Sequence, residues 1–409
     1  MRPNHKKTLV ACYIGYIVQA IVNNFVPLLF MTFHRQYGIP LARITLLITL
    51  NFLIQLGVDL LSAWFIDRIG YRASVVAAHL LSAAGLVLLA VLPDRLPDAY
   101  TGILMAVAVY AVGGGLLEVI ISPIAEACPT EHKEQTMSLL HSFYCWGHVG
   151  VVLLSTGFFA LWGIGQWKWL SLLWAAVPLL NLLLFVQAPL YTLTDAEKPG
   201  MGIRRMCSQG CFWLLLVMML CAGAGEQAVS QWASAFAEKG LGISKALGDL
   251  AGPMAFALMM GLSRLLYGQY GSRLELRRCM VGSALLCIAA YLCIVLIPVP
   301  LIGLLGCAVC GFSVGIFWPG TFSLAAATLK GGGTTMFALL ALAGDLGCAG
   351  GPTLAGLVSG ARGNNLRTGI LAATIFPAVM LLCLGSMRKK PTHTAAEKTD
   401  ADPDESAPI

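Results

Sequence analysis

The sequence predicts an all-α membrane protein with twelve transmembrane helices in two pseudo-symmetric six-helix bundles. Its composition gives the first indication, because 58% of the 409 residues are hydrophobic and only 11% are charged. A soluble domain carries about 25% charged residues, so this surface is suited to lipid and not to water. Two further observations support the prediction: twelve apolar runs of membrane-spanning length, and a resemblance between the two halves of the chain.

Each apolar run has the length that a bilayer requires, about 20 residues per helix. In the first half the runs lie near 8–32, 43–66, 73–92, 99–127, 136–161 and 168–190, and in the second half near 211–236, 246–268, 277–297, 299–328, 334–359 and 367–387. The breaks between them carry turn residues and charges. We therefore expect an N-terminal bundle (1–190), a cytoplasmic central loop (191–210), a C-terminal bundle (211–387) and a polar, disordered cytoplasmic tail (388–409).

The distribution of positive charge predicts the orientation. If both termini are cytoplasmic, 17 of the 26 Lys and Arg residues are inside and eight are outside, as the positive-inside rule requires. We expect a multi-pass protein of the plasma membrane, of the bacterial inner-membrane type, that is a monomer in the lipid bilayer. No long basic run is present, so no nucleic-acid partner is expected.

The two halves share a pattern at an offset of about 200 residues, which indicates an internal repeat. In each half a glycine stands eight residues before a proline in the fourth span, and a Leu-Leu pair precedes a glycine in the fifth span. Transporters use such a repeat because two similar halves can rock about a site at the membrane midplane. The matched pairs are Gly115 with Gly311, Pro123 with Pro319, and Gly147 with Gly347.

The loop after the second span carries a family motif. Residues 63–72 read AWFIDRIGYR, which resembles the G-x-x-x-D-R-x-G-R-R motif of the major facilitator superfamily, with Ala63 and Tyr71 as departures. The resemblance implies the major facilitator fold and a gate that locks the cytoplasmic side closed, with a carboxylate at a helix N-terminus and basic residues paired with acids. The alternative is a generic charged turn that holds the topology. The gate candidates are Asp59, Asp67, Arg68, Arg72 and Glu126, with Arg72 a partner for Glu126.

Several helices resemble the fucose permease group of sugar:proton symporters. The resemblance rests on residues 113–123 (GGGLLEVIISP), on His141-Ser142-Phe143, on Gly225-Glu226 and on the stretch 23–27 (NNFVP). The group has a coupling Asp in the first helix, where this chain has Asn23 or Asn24, depending on the alignment. An amide cannot titrate, so a proton carrier would have to be another group.

Ionisable side chains inside the spans are the candidate functional residues. Each costs about 2.5–3.5 kcal/mol on insertion scales, so six of them cost on the order of 15 kcal/mol, and some are expected to line a transport pathway. The six are Asp59, Glu118, Glu126, Glu226, Asp345 and Arg264. Glu118 is the leading candidate, because three glycines precede it and Pro123 follows it. The alternative is a structural carboxylate held by Arg264 or by the backbone.

The candidate residues have two kinds of role, because some can exchange a proton and others can form hydrogen bonds with a solute. Glu118, His141 and Glu226 are the candidate proton-coupling residues, because a desolvated carboxyl group or a histidine can exchange a proton near neutral pH. Amides bind hydroxyl groups, and Trp318 would either stack on a sugar ring or pack in the core. The candidate substrate-binding residues are Gln19, Asn23, Asn24, Glu118, His141, Glu226, Gln227, Trp318 and Asp345.

The predicted function is secondary active transport of a small polar solute, a sugar or a related hydroxylated metabolite, coupled to protons and operating by alternating access. The alternative is a proton-driven exporter of drugs or lipophilic compounds. Such exporters typically carry G-x-x-x-G-P-x-x-G-G in helix 5, where this chain has no proline between residues 142 and 150. A membrane enzyme or receptor is the third class. No nucleophile–base motif, metal-binding motif or phosphate-binding loop is visible, so we expect no catalytic residue, metal or cofactor.

Overall fold

The computed structural model describes residues 5–130, 133–190, 203–270, 275–329 and 333–387, which are helical apart from short connections. Within these ranges the side chains of 62–65, 67–68, 133–135, 137–138, 268–269, 333–335 and 337 are not described. The side chains of the gate candidates Asp67 and Arg68 are therefore not described, and most of the expected central loop and the expected tail lie outside the described residues.

The described residues form twelve helices that are long and apolar enough to cross a membrane, which confirms the predicted fold class. We label them α1 to α12 in chain order. Their bounds are His5–Tyr37, Leu41–Leu61, Tyr71–Arg95, Ala99–Ala127, Leu139–Trp162, Ile164–Gln187, Gly210–Gly240, Lys245–Tyr267, Leu276–Leu296, Pro300–Thr328, Ala338–Ala361 and Leu366–Ser386. Three of these helices extend beyond the membrane-spanning bounds. The full helix of α2 is Leu41–Ile69, that of α5 is Lys133–Trp162 and that of α11 is Gly333–Ala361.

Several of the helices are interrupted. In α1 the helix His5–Asn24 is followed by a 3₁₀ turn, Val26–Leu29, and by Phe30–Tyr37. Pro27 lies in this turn, as expected for a residue that cannot donate a backbone hydrogen bond. The other interrupted helices are α7 (Gly210–Ser230, Ala233–Ala235, Phe236–Gly240), α8 (Lys245–Asp249, Leu250–Met254, Ala255–Tyr270), α10 (Pro300–Val314, Phe317–Thr328) and α12 (Leu366–Ala373, Ile375–Ser386).

The even number of crossings fixes which helix ends share a side of the membrane. Since α1 begins and α12 ends on the same side, we call this side the terminal side and the opposite one the distal side. Odd-numbered helices run from the terminal to the distal side, and even-numbered helices run back. The connections between α1 and α2 and between α7 and α8 are therefore distal.

Glycines at equivalent positions make equivalent contacts in the two halves. A Cβ atom on Gly147 of α5 would lie 2.9 Å from Ala20 of α1, and one on Gly347 of α11 would lie 2.0 Å from the backbone of α7. In the same way, Gly115 of α4 packs on α2, and Gly311 of α10 packs on α8. Small residues let transmembrane helices approach closely. These contacts are those that the repeat predicts.

Basic side chains tie α3 to α6 and α9 to α12. On the terminal side Arg72 donates to three backbone carbonyls at the end of α6, at 2.7–2.9 Å. At the corresponding place in the second half, Arg277 donates to two carbonyls at the end of α12, at 3.0 and 3.3 Å. On the distal side Lys168 of α6 pairs with Asp94 of α3, and Arg367 of α12 donates to two carbonyls at the end of α9. Both ends of each helix pair are therefore fastened.

We expect R72Q and R277Q to lower the stability of the protein by about 1 kcal/mol each, because each removes a cation from a helix C-terminus. Thermal unfolding in detergent measures the effect. The matched control is R278Q, since Arg278 is exposed and pairs only with the nearby Glu275 in the described part of the chain. A loss of stability in R278Q equal to that in R277Q would contradict this role for Arg277.

Candidate functional site

The two halves pack closely at the distal side. A Cβ atom on Gly356 of α11 would lie 2.1 Å from the hydroxyl oxygen of Thr45 of α2. One turn further along α2, the hydroxyl oxygens of Thr49 and Thr353 are 2.5 Å apart. The distal parts of α1 and α7 also meet, through the rings of Phe30 and Trp232. A solute therefore has no open route between these helices on the distal side.

Three carboxyl groups meet in the interior of the bundle. Asp59 of α2, Glu118 of α4 and Asp345 of α11 each place a carboxylate oxygen within 4.8 Å of the others, so the cluster joins both halves. Like charges this close do not all ionise together. We therefore expect the cluster to hold a proton.

The carboxyl cluster faces an internal space. Counted at 1.5 Å per residue, its members lie about 13–18 Å from the terminal-side ends of their helices. Their side chains are nevertheless partly exposed, and Glu118 is among the accessible residues of α4 although its neighbours Leu116 and Leu117 are buried. A solute that reaches this space would have to enter from the terminal side, because the distal side is closed.

A chain of buried amides leads from the carboxyl cluster towards the distal side. The Gln19 amide donates to Glu118 at 3.1 Å and to Gln55 at 3.0 Å. The Gln55 amide donates to the side-chain oxygen of Asn23 at 2.8 Å and to that of Asn51 at 3.1 Å. All four amide residues are buried. They offer paired donors and acceptors, the groups that recognise hydroxyls.

The amide chain continues into the second half. Gln231 of α7 donates to the backbone carbonyl of Asn23 at 3.2 Å and to the side chain of Gln227 at 3.0 Å. Gln227 donates to Glu226 at 3.3 Å. Asn24 points elsewhere, since its amide donates to the backbone of Ala20 and to the Tyr144 hydroxyl. Glu226, Gln227 and Asn23 are thus brought together as candidates for one site, whereas Asn24 fastens α1 to α5.

Glu226 also forms a buried ion pair. Arg264 of α8 donates to its carboxylate at 3.3 Å, and the two side chains are 24% and 6% exposed. The guanidinium group reaches the first half as well, where it donates to the thiol of Cys145 on α5 at 3.3 Å. The sequence left open whether Glu118 is a structural carboxylate held by Arg264 or by the backbone, and the ionic partner of Arg264 among the described residues is Glu226.

Two further substrate-binding candidates occupy different surroundings. His141 of α5 is exposed towards the interior and meets the ring of Tyr16 edge-on, with 5.3 Å between ring centroids. Trp318 of α10 packs its ring against α11 beside the cluster, where a Cβ atom on Gly344 would lie 2.3 Å from it. His141 is therefore accessible, while Trp318 fills the gap that a glycine leaves between two helices.

The gate candidates do not gather in one place. Asp59 was expected with the loop motif, but it lies in the interior cluster, because its side of α2 faces α4 and α11. The described hydrogen bonds of Arg72 go to the end of α6 and not to Glu126, which lies near the terminal-side end of α4. Asp67 and Arg68 lie outside the described side chains.

The sequence analysis did not include three polar side chains of the amide chain, Asn51, Gln55 and Gln231, although their spacing gave a signal. Asn51, Gln55 and Asp59 follow one another at intervals of four on an otherwise apolar helix, so they share one face. Gln227 and Gln231 show the same spacing on α7. A polar stripe on a transmembrane helix predicts a polar interior site, and counting only charged residues overlooks it.

Comparison with known proteins identifies the family. The Major Facilitator Superfamily model matches residues 12–352. The chain belongs to this superfamily. No curated protein sequence matches it.

Solved structures of the superfamily resemble the whole chain. The E. coli fucose:proton symporter is 18% identical, with 93% of this chain and 98% of that chain covered and a TM-score of 0.62. A bacterial homologue of the human lysosomal transporter Spinster, inward-facing and unoccupied, is 14% identical, with coverage of 96% and 100% and a TM-score of 0.75. The nucleoside transporter NupG is 11% identical, with coverage of 93% and 100% and a TM-score of 0.75. At these identities the likeness establishes the fold alone.

We expect E226Q to destabilise the protein, because it leaves the Arg264 guanidinium buried without its ionic partner, a change that costs about 3–5 kcal/mol for a buried pair. Thermal unfolding of E226Q, R264M and the double variant forms a mutant cycle. The double variant should be more stable than the sum of the two single losses predicts. Strictly additive losses would show that the two groups do not depend on each other.

Proposed function

We propose that this chain is a secondary active transporter that moves a small hydroxylated solute together with protons, by alternating access. The observation that carries the proposal is the carboxyl cluster of Asp59, Glu118 and Asp345, which joins α2 and α4 of one half to α11 of the other. The neighbouring amides supply hydroxyl-binding groups, and Gln19 connects the two sets through its hydrogen bond to Glu118. Superfamily membership supports transport.

Proton coupling follows from the position of the cluster between the halves. While the halves are together, the three carboxyl groups lie too close for all of them to ionise. When α11 moves away from α2 and α4, Asp345 leaves the other two groups, and each group then takes its own protonation state. A proton bound more tightly in one arrangement than in the other shifts the balance between them. The first helix offers amides where the resembled symporters have an Asp, so we assign coupling to this cluster with Glu118 as its leading member.

Two other titratable groups have supporting roles in this proposal. Glu226 is held by Arg264 and can exchange a proton only if that ion pair loosens. His141 is accessible from the interior and stands beside Tyr16. We therefore place both after Glu118 in the order of candidate proton carriers.

The amide chain favours a solute rich in hydroxyl groups. Amide groups both donate and accept hydrogen bonds, which matches the two functions of a hydroxyl. Fucose and nucleosides, the solutes in the names of two similar structures, share this chemistry. A sugar or a related hydroxylated metabolite is the solute class that we propose.

An exporter of lipophilic cations is the second candidate. One observation favours it: the interior carries four carboxyl groups, Asp59, Glu118, Asp345 and Glu226, against the single guanidinium of Arg264 among the charged groups described there. A cation would compete with protons for the cluster, so alkaline conditions would strengthen its binding. A neutral solute carried together with a proton would instead bind better under acidic conditions. The pH dependence of binding therefore separates the two candidates.

We further propose that the terminal side faces the cytoplasm of a cell bounded by the plasma membrane, since most Lys and Arg residues lie there. The closed distal side then faces outwards, and the interior site is open to the cytoplasm. Superfamily membership and the twelve helices support a multi-pass protein. We propose that it acts as a monomer.

We expect E118Q to abolish proton-driven accumulation while retaining exchange between equal solute pools, because glutamine keeps the shape and the hydrogen bonds but cannot titrate. A thermal-shift screen of sugars and related compounds first identifies the solute, since a bound ligand stabilises the folded protein. Proteoliposomes with an imposed pH gradient then measure accumulation and exchange of that solute.

E275Q is the matched control, because Glu275 is an exposed residue at the start of α9 and pairs with Arg278. It should behave as the unaltered protein does. Normal accumulation by E118Q, with unchanged pH dependence, would remove Glu118 as the proton carrier. Loss of both exchange and binding would assign it to solute recognition instead, and D345N would be tested next.

A further inference from the structure

Four charged residues gather at the distal ends of the helices, away from the interior site. They are Arg35 of α1, Glu238 of α7, and Lys245 and Asp249 of α8. The side chains of Glu238 and Asp249 are only 4% and 0% exposed, whereas that of Arg35 is 65% exposed. Two acids are thus buried at the place where the halves close.

The first half contributes three contacts to this group. Arg35 donates to the Glu238 carboxylate at 2.9 Å. Thr156 of α5 donates to the Asp249 carboxylate at 3.4 Å. The ammonium group of Lys245 lies 5.7 Å from the centre of the Phe159 ring on α5. Each of these contacts crosses the boundary between the halves and must separate if the distal side opens.

The second half supplies its own partners for both acids. Lys245 pairs with Asp249 at 2.8 Å and with Glu238 at 3.5 Å. The hydroxyl of Ser234 also donates to Asp249, at 2.5 Å. Lys245 and Asp249 are four residues apart on one helix, so they remain neighbours however the helix moves. These partners therefore stay beside the two acids when the halves separate.

The free energy needed to separate the halves at the distal side depends on which half supplies each partner of the two acids. A buried ion pair is expensive to break when one charge is left alone, but here Lys245 stays with both acids. Arg35 is 65% exposed, so its guanidinium group stays in water when it leaves Glu238. Thr156 is neutral. Opening of the distal side therefore leaves no buried charge alone, because each acid keeps its ion pair with Lys245.

The backbone around the four charged residues and the adjoining cavity are both features expected of a region that moves. Glu238 lies in a π-helical turn, Phe236–Gly240, and Asp249 is followed directly by another, Leu250–Met254. Such turns occur often at functional sites in helices. A cavity of about 480 Å³ adjoins the group and is lined in part by Arg35, Thr156 and Lys245. Space for water is therefore present beside the charges.

We propose that Arg35, Thr156, Glu238, Lys245 and Asp249 form a releasable latch, the distal latch, that holds the distal side closed during transport. Arg35 and Thr156 are its detachable contacts, and Lys245 is the positioning residue that keeps both acids neutralised when the latch opens. The latch rests on the proposed alternating-access transport, but it is tested without solute.

Distances across the distal side test the latch. Spin labels at Gln166 of α6 and at Arg362, which follows α11, are exposed and lie on different halves. The chain has 13 cysteines, so the labels are attached through unnatural amino acids. In R35Q and in T156V we expect the population with the longer label separation to rise about two- to fivefold, as for loss of one weak polar contact.

K239Q and K245Q complete the experiment. Lys239 is exposed and adjacent to Glu238, so K239Q removes one distal charge without removing a described latch contact and should leave the distances unchanged. K245Q leaves two buried carboxylates without their shared ammonium partner, so we expect it to lower the unfolding temperature more than R35Q does.

Two outcomes would overturn the latch. In the first, R35Q and T156V give the same distances as K239Q. In the second, R35Q lowers the unfolding temperature as much as K245Q does, and the distance between the spin labels does not increase. The group would then be a permanent structural contact and not a latch. The distances are measured in the absence of solute. A latch that opens in a protein that accumulates no solute would therefore refute the proposed function alone.

Discussion

The structure depends on one constraint: a charged side chain buried among transmembrane helices must find its counter-group within the protein. The chain meets this constraint in three ways. The carboxyl groups of Asp59, Glu118 and Asp345 lie together, where a bound proton would relieve their repulsion, and Glu226 pairs with the guanidinium group of Arg264. The two acids of the distal latch share one ammonium group. Each solution brings together segments that are far apart in the chain, so the charges fix how the helices pack.

One helix links closure of the distal side to the carboxyl cluster. The distal part of α2 carries Thr45 and Thr49, which contact α11, and its next turns carry Asn51, Gln55 and Asp59. Because a helix moves as a rigid rod over such a length, α2 cannot leave α11 at the distal side without altering the contact between Asp59 and Asp345. Closure and protonation are therefore connected through a single element, with no need for a longer relay.

The sequence predicted the elements better than their partners. Hydropathy predicted the twelve helices, because lipid selects apolar runs of one length. The distance of Asp59 from its helix end assigned it to the gate, since depth alone does not tell which neighbour a side chain faces. The resemblance to the loop motif paired Arg72 with Glu126, whereas the described hydrogen bonds of Arg72 go to the end of α6. Contacts between distant segments settle these cases, and a single sequence does not record them.

The fastened pairs, α3 with α6 and α9 with α12, have a consequence for the surrounding lipid. These helices carry many exposed apolar side chains, such as Leu173, Leu180 and Leu285, which face the bilayer. Because each pair is tied at both ends, its outer surface keeps one shape while the inner helices rearrange. Under the proposed alternating access, the lipid next to each pair would then meet one constant surface, and the rearrangement would fall on the contacts between the halves.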